Sequence, residues 1–326
     1  MKSLKNSIEL FKSLNILVVG DVMLDQYIWG KVERISPEAP IPIVSVTKRE
    51  ERLGGAANVA LNIKTLGANP IIASIIGQDI KGIRFKELCS ENKIDISGIL
   101  ETNKRPTTTK TRIIGHSQHL LRVDEETDLP IKPEEESLFL HKILKIFENN
   151  KIDAIIFEDY DKGVITLNVI NFITQLAKTR NIPITVDPKH RNFLNYKNCD
   201  LFKPNLKELA IGLKTDIDKK NLITQLHQMC NDFIKKQGHK SIMVTLSEQG
   251  IFIINESENY HIPTQVRDLA DVSGAGDTVI STATLCLAVK MPLYNIAYIS
   301  NVAAGIVCEK VGVVPIDKKE LIERLT

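Results

Sequence analysis

The sequence predicts an α/β fold: a doubly wound, mainly parallel sheet with a small β-sheet projecting from it as a lid. Short runs of consecutive apolar residues recur along the chain, beginning with Ile16-Leu17-Val18-Val19-Gly20. Strands this continuously apolar are buried on both faces, as in parallel sheets covered by helices. Amphipathic helical stretches separate these runs, which is the alternation of an α/β protein. Two β-type segments break the rhythm and do not fit a doubly wound core.

Taken in chain order, Ile16–Gly20 is the first strand, closed by Gly20 and Asp21. Gly55 to Leu66 then reads as a helix, and Ile71 to Ile76 as another buried strand. Helical segments alternate with further strands at Ala154–Phe157, Ile184–Val186, Leu201–Phe202 and Ile242–Thr245. Ligands of such sheets bind at the carboxyl ends of the strands. Asp21, Glu158, Asp159, Asp187, Lys203 and Asn205 all fall there. The two exceptions are Ile41–Thr47, after the Pro-rich Ser36–Pro40, and Thr107–Ile114 with Leu120–Val123. Their alternation and β-branched residues suit half-exposed strands. The lid is therefore expected from about residues 34–50 and 105–125 of one domain spanning 1–326.

A chain of 326 residues can bury a large core, and 43% hydrophobic with 25% charged residues is ordinary for a soluble protein. The formal net charge of +2 is too small to argue for nucleic acid or an anionic membrane. The five cysteines, Cys89, Cys199, Cys230, Cys286 and Cys308, form no C-x-x-C pair, which points to reduced thiols in a cytoplasmic protein. No apolar run approaches the ~18–20 residues of a membrane span, and no signal-peptide pattern opens the chain. His116, His119 and His190 lack metal-ligand spacing.

The chemistry concentrates in Asp271-Val272-Ser273-Gly274-Ala275-Gly276-Asp277-Thr278, a small-residue turn leading into a long apolar helix. Gly274 and Gly276 let the backbone approach a ligand, and the free N–H groups of a helix start favour an anion such as phosphate. Asp277, in the first turn, could take a proton from a hydroxyl attacking that phosphate. The plainer alternative is an aspartate that only compensates the helix dipole. Elsewhere, Asp21 and Asp25 follow the first strand, and Gly54-Gly55-Ala56-Ala57-Asn58 opens a helix. Carboxylates and an amide at loop positions suit a polyol. No G-x-x-x-x-G-K-[ST] run is present, so a P-loop mechanism is not expected.

Four motifs in order, Gly20–Asp25, Gly54–Asn58, Asn205-Leu206-Lys207-Glu208 and Gly274–Asp277, closely resemble the ribokinase-like (PfkB) carbohydrate kinase family over nearly the whole chain. Ser36–Val44, Asp159-Tyr160-Asp161-Lys162-Gly163, Asp187-Pro188-Lys189, Thr245–Gly250 and Asn301–Gly305 are similar to its bacterial heptose-phosphate kinase branch. That resemblance implies ATP-dependent phosphorylation of the anomeric hydroxyl of D-glycero-β-D-manno-heptose 7-phosphate, for lipopolysaccharide core synthesis. It makes Asp277 the base, with the N–H groups of Gly274, Ala275, Gly276 and Asp277 on the transferring phosphoryl group. Asn205 and Glu208 would act on Mg²⁺ and the ATP phosphates, Glu208 on the metal directly or through water. Their alternative is an N-cap with its capping-box partner. Thr245, Ser247 and Gly250 would border the nucleotide, and Asn301 and Ala304 the adenine.

For the sugar the resemblance offers Asp25, Gly54, Gly55 and Asn58, with Glu158 at a strand end. Lys162 and Lys189 are favoured for the 7-phosphate, with Arg112 and Arg122 also available. ATP and Mg²⁺ are the implied cofactors, with room for a monovalent cation. A homodimer through the lid sheet is implied too. Relatives of the branch occur alone or fused to a C-terminal nucleotidyltransferase, and the absence of an H-x-G-H motif leaves only the kinase half expected here. Two other readings stay open: a kinase for another sugar or a nucleoside, and a non-catalytic nucleotide- or sugar-binding regulator.

Overall fold

The computed structural model describes residues 2–115, 118–264 and 269–325, so His116 lies outside the described residues. Its strands are β1 (Asn15–Gly20), β2 (Val22–Ile35), β3 (Pro42–Gly55), β4 (Asn69–Gly77), β5 (Asp95–Thr102), β6 (Thr109–Gly115) and β7 (Gln118–Glu125). They continue with β8 (Ala154–Glu158), β9 (Ile184–Asp187), β10 (Leu201–Phe202), β11 (Ser241–Thr245), β12 (Ile251–Asn255) and β13 (Asn259–Ile262). Among the described residues, nine strands form one sheet in the order β13-β12-β11-β10-β9-β8-β1-β4-β5. All its pairings from β5 to β11 are parallel, and β12 and β13 add an antiparallel edge.

Alternation along β1 divides the core into two halves. Ile16 and Val18 pack on the side of helices Ala56–Thr65, Ala275–Ala288 and Leu293–Cys308. Leu17 and Val19 pack on the side of helices Pro133–Asn149, Leu167–Arg180 and Leu222–Gln237. Both faces of the strand are thus dry, which is why its sequence is apolar without interruption. The register then sets Gly20, Glu158 and Asp187 side by side at the carboxyl ends of β1, β8 and β9. All five cysteines are buried. No described helix is long and apolar enough to cross a membrane.

The small sheet has the order β3-β2-β6-β7 and is larger than the sequence suggests. The expected bounds of about 34–50 and 105–125 omit β2, which runs unbroken from Val22 to Ile35. Gln26, Gly30, Lys31 and Glu33 obscure its alternation, and irregularities at Trp29/Gly30 and Val32/Arg34 shift its register. Asp25 is accordingly a strand residue and not a loop residue. Gly54 and Gly55 end β3, and Gly55 is also the N-cap of the helix, which starts at Ala56. Gly55 has φ 58°, a left-handed conformation that only glycine adopts freely, and a side chain there would meet the Asp21 carbonyl. The edge strands β5 and β13, and β12 beside the latter, were also absent from the expectation.

Candidate active site

Asp277 stands at the carboxyl end of the main sheet, in the first turn of helix Ala275–Ala288, and is 4% exposed. Gly274 caps that helix with φ 80°, a left-handed turn that leaves the first N–H groups unblocked by a side chain. Gly274, Ala275 and Gly276 are half-buried, so the turn is open to a ligand while the carboxylate behind it is not. The Asp277 carboxylate accepts hydrogen bonds from Asn58 Nδ2 at 2.7 Å and from Tyr160 Oη at 2.8 Å. Burial lifts its pKa to about 6, against the pull of those two donors. A carboxylate so tuned is a competent base near neutral pH.

Each neighbour is delivered by a separate element. Asn58 lies wholly buried in helix Ala56–Thr65. Tyr160 follows β8, and its loop is held by Asp21, whose carboxylate accepts the N–H groups of Tyr160, Lys162 and Val164 at 2.9, 3.1 and 3.1 Å. Asp21 is therefore the organiser of that loop. Lys203 and Asp187 form a buried pair at 2.7 Å under Gly276. Burial alone would lower the Lys203 pKa, but Asp187 and Glu158 hold it above its ordinary value. Glu158 is 1% exposed with Oε2 unpartnered, and burial, Asp187 and Asp277 push its pKa well up.

The other expected site residues divide between these surroundings and more distant tasks. Asp25 Oδ2 covers Gly54, where a side chain would collide with it, and the same carboxylate pairs with Arg112. Asp25, Gly54, Gly55 and Asn58 thus form one run leading from Asp277 onto the small sheet. The Lys162 ammonium sits 2.6 Å from Glu126 Oε1. Lys189 pairs with Glu208 and lies 5.2 Å from the Tyr160 ring centroid, which puts it beside the Asn205–Glu208 turn. Asn205 and Glu208 are a reciprocal capping box on helix Leu206–Leu213, with both bonds at 2.8 Å.

Thr245, at the end of β11, bridges Asn205. Ser247 is exposed with φ 55°. Gly250 presses its backbone against the Ile262 carbonyl, so a turn explains it without a ligand. Asn301 donates to the carbonyls of Ile262 and Pro263 at 3.4 and 2.8 Å and so braces that segment; Ala304 is half-buried on the same helix.

Sequence reasoning missed Tyr160 as the partner of Asp277 and Lys203 as the cation beside it. The signal available for Tyr160 was its place just past a strand end, within an acidic run. Its phenol stabilises the Asp277 carboxylate, so Tyr160→Phe is expected to move the acid limb of the kcat/KM profile up by about one pH unit. A pH titration of initial rates checks this; an unmoved limb would mean that the bond does not tune the base.

A family model described as pfkB family carbohydrate kinase matches residues 13–319. The bifunctional protein HldE of Syntrophotalea carbinolica is 36% identical over 327 residues, covering 99% of this chain and 65% of that protein. The protein of the same name from Koribacter versatilis is 40% identical over 315 residues, covering 96% and 63%. The chain therefore spans a little under two thirds of the length of these relatives. Among solved structures, phosphofructokinase-2 from Escherichia coli in complex with potassium superposes with a TM-score of 0.79 at 17% identity, covering 95% of this chain and 97% of that one. Arabidopsis thaliana ribokinase complexed with ribose and ATP gives 0.72 at 16% identity, covering 96% and 99%. At such identities the likeness establishes the ribokinase-like fold and nothing finer.

Proposed function

The chain belongs to the pfkB family of carbohydrate kinases, and on that premise we propose that it transfers the γ-phosphoryl group of ATP to the anomeric hydroxyl of D-glycero-β-D-manno-heptose 7-phosphate. One observation carries the transfer: a buried carboxylate, raised to about 6 and held by Asn58 and Tyr160, stands behind an open helix start. The heptose assignment rests on the branch-like motifs from Ser36 to Gly305 and on relatives 36% and 40% identical. On this reading the second activity implied by the word bifunctional belongs to the part of those relatives that this chain does not span.

In the proposed reaction the acceptor hydroxyl lies against Asp277, with Asp25 and Asn58 fixing its neighbours. Asp277 Oδ takes the hydroxyl proton as the oxygen attacks phosphorus. The N–H groups from Gly274 to Asp277 receive charge on the transferring group, and preorganised donors of this kind contribute about 3–4 kcal/mol each. Phosphoryl transfer needs positioning and charge neutralisation more than covalent help.

Glu208 has one oxygen on Lys189 and the other on the Asn205 N–H, so it would reach Mg²⁺ through water. That fits a cation held mainly by phosphates and water. Bound with ATP, magnesium would supply positive charge against the phosphates. Lys189, beside Glu208, is reassigned from the sugar phosphate to this nucleotide side. The potassium of the phosphofructokinase-2 structure is compatible with the implied monovalent cation.

Coupled ADP detection with a panel of sugars and sugar phosphates tests the substrate. Heptose 7-phosphate is expected to exceed unphosphorylated hexoses and ribose by at least about 100-fold in kcat/KM; a preference for an unphosphorylated sugar would overturn it.

The outer face of the small sheet exposes Leu121 and Val123, both on the edge strand β7, by 56% and 42%. Such edges need cover, and a second copy of the chain is the proposed one. Sedimentation is expected to give a dimer that Leu121→Asp dissociates. A monomeric wild-type protein would contradict this.

A further inference from the structure

A side chain of the small sheet reaches across to the main domain beside the catalytic turn. Arg52 lies on β3 and is the cross-strand partner of Asp25. Its Nη1 donates to the carbonyls of Val311 and Val313 at 3.3 and 2.9 Å, far along the chain. The rest of the guanidinium is held from behind. Nε and Nη2 lie 2.8 and 2.7 Å from Glu50 Oε1, and the Tyr27 ring centroid lies 4.9 Å from Cζ. Tyr27 meets the same segment, its Oη accepting the Val313 N–H at 3.2 Å. Gly312, between the two carbonyls, has φ 75°, and a side chain there would come within 2.7 Å of Arg52 Nη1. Glycine allows both that conformation and that approach.

Residues 311–313 are joined in turn to the helix start that carries Asp277. The Gly312 N–H donates to Asp271 Oδ2 at 2.9 Å, and Asp271 Oδ1 accepts the Ser273 N–H at 2.9 Å. Against the pull of burial, these N–H groups hold the Asp271 pKa below its ordinary value, so it is a carboxylate at neutral pH. A side chain on Gly274 would lie 3.4 Å from Val313 Cγ1, so the two turns are in van der Waals reach. One line of bonds thus runs from Glu50 and Arg52 through residues 311–313 and Asp271 to Ser273.

We infer that Arg52 is a positioning residue: through residues 311–313 and Asp271 it fixes the turn from Gly274 to Asp277, and so couples the small sheet to phosphoryl transfer. This rests on the proposed kinase function. A planar fork suits the task, since one nitrogen meets two carbonyls while the other two face a carboxylate. The sheet that carries Asp25 to the acceptor therefore also sets the N–H groups that receive the phosphoryl group. Small displacements of such preorganised groups slow the reaction more than they weaken binding.

The test compares wild-type protein with Arg52→Ala, Arg52→Lys and Arg84→Ala. Arg84 is the control: it binds the neighbouring Glu51 of β3 at 2.8 Å, together with Glu87 and Glu91 of its own helix. Arg52→Ala is expected to lower kcat at least about 30-fold, with KM for ATP and for the acceptor within about threefold of wild type. Arg52→Lys keeps the charge without the fork and should fall between, while Arg84→Ala stays within about twofold of wild type. Guanidinium chloride below denaturing concentration is expected to raise the rate of Arg52→Ala about tenfold and that of the others not at all. Hydrogen exchange needs no turnover: amides of residues 270–277 should exchange at least about tenfold faster in Arg52→Ala and unchanged in Arg84→Ala. A wild-type kcat in Arg52→Ala, a loss confined to KM for the acceptor, or an equal loss in Arg84→Ala would overturn the inference. So would unchanged exchange at residues 270–277. Should the alanine variant not fold, Arg52→Lys supplies both readouts, and a wild-type kcat in it would then overturn the inference. A wild-type protein that phosphorylates no sugar would overturn the kinase function instead, and the exchange arm would still decide the coupling.

Discussion

Asparagine in place of Asp277 is expected to lower kcat by about 1,000-fold while leaving ATP affinity within a few-fold of wild type. The substitution is nearly isosteric and can keep a hydrogen bond to Tyr160, so the turn at Gly274–Gly276 should persist. It removes the group proposed to take the hydroxyl proton. The pH profile supplies a second check. The wild-type carboxyl titrates at about 6, and only its ionised form can act as base. kcat/KM should therefore fall about tenfold per unit below pH 6 and level off above it. The residual activity of Asp277→Asn should lack that limb. Rapid-quench turnover with ATP binding measured separately checks both parts; a variant retaining near-wild-type kcat would remove Asp277 from the chemistry.

Methionine in place of Lys203 is expected to cost about 3–5 kcal/mol of stability, the usual loss when one member of a buried ion pair is deleted. Lys203 is 2% exposed and its ammonium lies 2.7 Å from Asp187, with Glu158 and Asp277 close by. Without it three carboxyl groups share a dry site with no cation in contact with Asp187. Its charge also helps to keep the Asp277 pKa down, so the acid limb of any remaining activity should move above pH 6. Urea unfolding followed by far-UV circular dichroism checks the stability; a midpoint near wild type would mean that the pair adds little to the folded state.

Legibility in the sequence followed the range of the interaction. The apolar strands announced themselves because burial on both faces removes most polar residues from them. The turn at Gly274 was readable because its chemistry lies within a few consecutive positions. Asn205-x-x-Glu208 was readable as a capping box for the same reason. By contrast, Tyr160 meets Asp277 across 117 residues of chain, and no local pattern records that contact. The partners of Lys162 and Lys189 were equally hidden, since a lysine beside an acidic strand end looks the same whether it faces a ligand or a carboxylate. Strand β2 was missed because Gln26, Gly30, Lys31 and Glu33 obscure its alternation and its register shifts at Trp29/Gly30 and Val32/Arg34.

The most direct measurement is phosphorus-31 NMR of the product formed from ATP and D-glycero-β-D-manno-heptose 7-phosphate by the wild-type protein. The expected spectrum shows ADP and one new monoester resonance coupled to the anomeric proton, with the 7-phosphate retained. Phosphate on another hydroxyl, or ADP and inorganic phosphate with the sugar unchanged, would contradict transfer to the anomeric hydroxyl through Asp277.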